Sequence, residues 1–190
     1  MIERIFISSV QKEFSVERQI IHDYIRGDAL LRRFFDVFIF EDLPAADRRA
    51  DDVYLAELGR SALYIGLLGN EYGREDKKGL SPTHREFMAA SQAGKCRLIY
   101  VKGDKDQGRD NKMLKLIRLA GDELIRRRFN TMSELQSAIY ASLVQYLLDT
   151  GKLLTGPFDA TAGRNSSLRD ISHDKVRWFL ALARSGHKLR

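Results

Sequence analysis

With 190 residues, 44% of them hydrophobic and 31% charged, the chain has the length and balance of one folded domain plus an appendage. A single cysteine, Cys96, excludes an intrachain disulfide, and no apolar run approaches the ~20 residues a membrane-spanning helix needs. The net charge of +6 does not mark the main domain as a nucleic-acid binder: from residue 151 onward there are eight basic and three acidic side chains, which leaves residues 1–150 almost neutral.

The elements alternate along the chain. Arg4 to Ser8 is expected to form a strand ending in Ser8-Ser9, and the apolar period of Phe14, Ile20, Ile21, Tyr24 and Ile25 predicts a helix over about 12–31. Phe34 to Phe40 is a second strand, followed by the polar loop Glu41 to Asp47 and a helix over about 49–60. Ala62 to Leu68 is almost continuously apolar, as in a strand covered on both faces. A fourth strand, Arg97 to Val101, precedes a helix over about 111–120 and a short fifth strand at Arg127-Arg128-Phe129. Thr131-Met-Ser-Glu134 is a capping box that opens a last long helix to about Leu148.

Such alternation implies a parallel sheet of about five strands with helices on both faces, an α/β domain over 1–154. Residues 155–170 read as a linker, and 171–190 as the start of a truncated helical module, with Val176, Phe179, Leu180 and Ala183 on one face. Ligands of such sheets bind beyond the carboxyl ends of the strands. The segments arriving there are Ser8-Ser9, the 41–47 loop, Gly69 to Gly79 and the stretch from Gly103.

One stretch at that rim stands out. In Gly79-Leu-Ser-Pro-Thr-His-Arg-Glu86, Ser81 suits an N-cap and Pro82 the first helical turn, while Gly94 suits the stop. Glu86 is not the reciprocal capping-box acid, because His84 holds that position. It shares a helical stripe with Ala90 and Ala93, so its carboxylate is a candidate ligand-facing acid. Several chemistries are missing. There is no phosphate-binding loop ending in Gly-Lys-Ser/Thr, no glycine fingerprint after the first strand and no nucleophile elbow. The four histidines lack metal-ligand spacing, so no metal and no resident cofactor is expected.

Ile5-Phe-Ile-Ser-Ser9 with Glu13 and Glu17-Arg18, Tyr64-Ile-Gly-Leu-Leu-Gly-Asn-Glu-Tyr-Gly73, Leu80-Ser-Pro-Thr-His-Arg-Glu-Phe87 and Ala93-Gly-Lys95 occur in this order over residues 2–150. Together they resemble a bacterial TIR-like family of unknown function (the DUF4062 type), related to Toll/interleukin-1 receptor domains and nucleoside 2-deoxyribosyltransferases. The resemblance implies a flavodoxin-like or TIR-like sheet and a nucleotide-handling signalling role in a regulatory or defence protein. It also implies Glu86 as the catalytic carboxylate at the N-glycosidic bond of NAD or a related nucleotide. The loop Asp42-Leu43-Pro44 matches the position that TIR domains use in assembly, so self-association is expected.

Ser8, Ser9, Gly69, Asn70, Tyr72, Gly73 and Ser81 are the candidate ligand-binding residues. Other readings stay open for some: Ser8 and Ser9 as helix caps, Tyr72 as a buried brace of its loop, Glu13 and Arg18 as structural partners. Two other functions also remain, a non-catalytic oligomerisation module and the N-terminal part of a DNA-binding regulator that meets nucleic acid only through its basic tail. No membrane partner is expected, and the location is expected to be cytoplasmic.

Overall fold

The computed structural model describes residues 2–39 and 50–154, the side chains of 50–52 excepted. The 42–44 loop, the linker and the 171–190 segment therefore lie outside the described residues. Contacts divide the chain into two units, Met1–Leu143 and Val144–Arg190.

In chain order the elements are β1 (Glu3–Ser9), α1 (Gln11–Gly27), a 3-10 turn (Leu31–Arg33), β2 (Phe35–Phe38) and α2 (Ala50–Arg60). There follow β3 (Leu63–Leu68), α3 (Pro82–Gln92), β4 (Cys96–Lys102), α4 (Asn111–Glu123), β5 (Arg126–Phe129) and α5 (Met132–Asp149). The five strands form one parallel sheet in the order β2-β1-β3-β4-β5, which is the flavodoxin-like arrangement. The direction of winding reverses between β1 and β3, so the loops after those two strands part and open a crevice at the carboxyl rim.

Alternation sorts the side chains onto the two faces. On one face, Phe6, Tyr64, Leu68, Ile99 and Val101 pack with Phe87 and Ala90 of α3 and Met113, Leu116 and Ile117 of α4. On the other, the Tyr100 hydroxyl reaches α5, donating to Ser142 Oγ at 2.9 Å. All six residues of β3 are buried, as its apolar run requires.

Local sequence sets the boundaries. Ser81 caps α3, accepting from the His84 amide at 3.3 Å, with Pro82 in the first turn and Gly94 beyond the C-cap at φ +63°. The Thr131–Glu134 capping box forms: the Glu134 amide donates to Thr131 Oγ1, and Glu134 Oε2 accepts from the Asn130 and Thr131 amides. Two expectations change. The helix from 12 to 31 ends at Gly27, because Asp28 turns its carboxylate onto the amides of Leu30 and Leu31 and starts the 3-10 turn. The fourth strand, expected from Arg97, begins one residue earlier at Cys96, which is partly buried.

In the second unit the described residues, 144–154, complete α5. The helix ends at Asp149, and Gly151 follows at φ +68°, with Thr150 Oγ1 donating to the Tyr146 carbonyl and Lys152 Nζ 5.1 Å from the Tyr146 ring centre.

Candidate functional site

A cleft of about 120 Å³ opens at the crevice between the ends of β1 and β3. Each element delivers its share. The end of β1 and the start of α1 bring Ser9, Gln11 and Arg18; the loop after β3 brings Tyr72, Gly73 and Arg74; α2 brings Tyr54, and the first turns of α3 bring Thr83 and Glu86. The cap at Ser81 fixes where α3 begins, and hence puts Glu86 on the turn that meets the sheet.

Glu86 is only 5% exposed. Its Oε2 accepts a hydrogen bond of 2.5 Å from Ser8 Oγ, itself buried. That separation is at the close end of the range for a hydroxyl–carboxyl bond. Among the described residues Glu86 is the one acid lining the cleft, and Arg18 and Arg74 line it as well. Arg18 is 2% exposed and is anchored by donation to the Ile7 carbonyl at 2.9 Å. Arg74 is exposed.

The other candidates fall into separate roles. Ser9 lies in the lining and is 3.4 Å from Arg18 Nη1. Neither serine caps α1: its N-cap is Val10, which makes no side-chain capping bond. Tyr72 is 4% exposed, belongs to the apolar cluster and bonds His84 Nδ1 through its hydroxyl at 2.7 Å, so the loop brace is present; an edge of the residue still lines the cleft. Gly73 adopts φ +84°, a conformation open to glycine, and lies in the lining. Ser81 is fully buried at the cap. Gly69 and Asn70 are not in the lining; there Glu13 accepts from the Asn70 and Glu71 amides at 2.7 and 3.0 Å. A Cβ at Gly69 would come within 2.2 Å of the Glu13 carboxylate, so glycine is required by that clamp.

Two side chains given no site role by the sequence lie at or behind the rim. Arg109, 7% exposed, donates to the carbonyls of Gly69 at 2.6 Å and Lys105 at 3.1 Å and to that of Lys102, tying the loop after β3 to the loop after β4. Tyr64 lies behind Glu86 in β3. No spacing rule distinguishes either one from an ordinary surface arginine or a core tyrosine.

A larger groove, about 740 Å³, runs between β5 and the first half of α5. Its acid, Glu134, is committed to the capping box, and the groove lies at the sheet edge, away from the crevice where the winding reverses. The cleft at Glu86 is therefore the better candidate for chemistry. Among the described residues no group of His, Cys, Asp and Glu could hold a metal ion, and no helix is long and apolar enough to cross a membrane.

Among solved structures, the fold is similar to a CMP N-glycosidase of Clostridium botulinum (12% identity, 74% of this chain and 99% of that one, TM-score 0.46). It is similar as well to a conserved protein of Enterococcus faecalis V583 (12% identity, 75% and 99%, TM-score 0.44) and to oxidised flavodoxin 1 of Bacillus cereus (14% identity, 80% and 97%, TM-score 0.37). Comparison with curated proteins finds no match. The family model of the domain of unknown function DUF4062 matches residues 4–144, most of the chain, and the protein belongs to that family.

Proposed function

We propose that residues 1–154 form a TIR-like signalling module whose cleft holds the sugar of a nucleotide against Glu86 and cleaves the N-glycosidic bond, with NAD as the first substrate to test. The observation that carries this reading is a carboxylate 5% exposed, set in a cleft at the carboxyl rim and bonded to Ser8 at 2.5 Å. As the C1′–N bond breaks, its electron pair leaves with the base and positive charge grows at C1′. A fixed carboxylate stabilises that charge, more strongly in a cleft that excludes water. Water then supplies the new C1′–O bond and gives its proton to solvent. With NAD, the departing nicotinamide nitrogen is already cationic and takes the electron pair without a proton donor.

The rest of the lining suits such a ligand. Arg18 and Arg74 offer cationic partners for phosphate oxygens, and Tyr54 and Tyr72 offer aromatic edges. The order of motifs from Ser8-Ser9 to Glu86, similar to TIR domains, supports the same assignment. The test is incubation of purified protein with NAD at high protein concentration and measurement of free nicotinamide. Release by wild type, falling by about 10²–10³-fold in Glu86→Gln, is expected for the loss of a charge-stabilising group. No release from wild type, even when assembled, removes the enzymatic reading.

A further inference from the structure

On the side of Glu86 away from solvent, the fold leaves a polar atom without a well-formed hydrogen bond. Tyr64 is fully buried, its ring stacked on Phe6 and edge-on to Phe87, each at 6.4 Å between centres. Its hydroxyl makes no bond of good hydrogen-bond geometry, although Ser8 lies close enough to act on it. Phenylalanine would fill this space without burying a hydroxyl that lacks a well-formed bond, so a tyrosine here carries a cost that packing does not explain.

The ring leans along β3 over Gly66. A Cβ at 66 would meet Tyr64 Cε1 at 2.9 Å and Oη at 3.3 Å. Gly66 is the register partner of Ser8 on β1, which brings the Tyr64 hydroxyl beside the serine that donates to Glu86 Oε2. Burial, and next the charge of Glu86, push the phenol far above its ordinary value, with Ser8 and Arg97 acting in the opposite sense. Tyr64 thus stays a proton donor wherever the protein is folded.

We propose that Tyr64 is a positioning residue for Glu86: through Ser8 it completes a chain of donors that keeps the carboxylate ionised and aimed into the cleft. A serine hydroxyl has one proton to give and lone pairs to receive, so Ser8 can accept from Tyr64 while donating to Glu86. A small tilt of the ring toward Ser8 closes the chain, and each bond in such a chain strengthens the next. Among the described residues, other charged groups lie near Glu86: Arg18 and Arg74 line the same cleft, Arg85 lines an adjoining hollow with it, and Arg97 acts on Tyr64. None of these is altered by removing one hydroxyl from Tyr64, so that substitution isolates the chain.

The inference rests on Glu86 being the working carboxylate, but its test needs no turnover. The Glu86 side-chain carboxyl is followed by ¹³C NMR across pH in wild type, Tyr64→Phe, Ser8→Ala and the double variant, with Glu86→Gln to assign the signal. Tyr64→Phe is expected to raise the Glu86 midpoint by about half to one pH unit, and Ser8→Ala by at least as much. The double variant should match Ser8→Ala, because Tyr64 acts only through Ser8. A midpoint unmoved in Tyr64→Phe, or two shifts that simply add, overturns the proposal. Should Tyr64→Phe fail to fold, Gly66→Ala, whose Cβ would press on the same ring and on Ile99, must move the midpoint too. A protein that releases no nicotinamide yet shows these shifts would refute the catalytic reading and leave this one standing.

Discussion

At the scale of single residues, the rim of the sheet is held by charged groups turned onto backbone. Glu13 receives two amides of the loop after β3, and Gly69 has no side chain because that carboxylate occupies the space. Gly69→Ala should therefore eject Glu13 and lower stability by about 1–3 kcal/mol, read as a fall in urea midpoint at constant slope. A second residue-scale expectation concerns His84. Burial lowers its pKa from the ordinary 6.5, and its Nδ1 is bonded to the Tyr72 hydroxyl. The unfolded chain takes up this proton at a higher pH than the folded one. The stabilisation is thus full above about pH 6.5 and is lost as pH falls through the lowered folded value. The thermal midpoint should decline from pH 7.5 to 5, and His84→Gln should flatten that slope. The acid-side contributions of Asp76 and Asp106, whose carboxyls are held below 3.8, fall in a lower window and leave this one clear.

At the scale of elements, what could be read from sequence was whatever depends on neighbours in the chain. The Ser81–Pro82 start fixes the phase of α3, and the phase alone points Glu86 inward; both follow from a short stretch of residues. Strand type and order of appearance follow from apolar runs in the same way. What depends on strands meeting side by side was not legible. That Ser8 faces Glu86 rather than capping α1 requires the pairing of Ser8 with Gly66, which no local rule provides. Gly69 and Asn70 read as a ligand loop because glycine signals unusual backbone, whereas the cause is a glutamate 57 residues earlier. Arg109 illustrates the same gap and gives the element-scale prediction. It joins the loops after β3 and β4 by bonding several carbonyls at once, which a single ammonium cannot reproduce. Arg109→Lys should cost about 2–3 kcal/mol by leaving buried carbonyls unpaired. Hydrogen exchange should show the loss as faster opening of the loops after β3 and β4, with β1 protected as before.

At the scale of the whole molecule, a parallel sheet exposes two edges, and each is a template for another chain. Among the described residues one of them is β5, which pairs there with β4 alone. Its arginines differ in what they do. Arg126 donates to the Ile117 carbonyl and Arg128 to the Gly103 carbonyl and Asp106, so both serve the fold. Arg127 is exposed, has no hydrogen bond or ion pair among the described residues, and stands next to a groove that also holds a fully exposed Ile125. A charge in the middle of an otherwise pairable edge deters a second copy of the same strand, because two such edges would bring like charges together. Arg127→Val removes that deterrent and raises β propensity at the same position, while touching no internal bond. The variant should keep the wild-type thermal midpoint to within about 0.5 kcal/mol of stability. It should nevertheless show concentration-dependent growth in light scattering that wild type lacks, and Arg127→Glu, which restores a like charge on every copy, should suppress it. If Arg127→Val scatters no more than wild type across the same concentrations, the arginine is not what guards this edge.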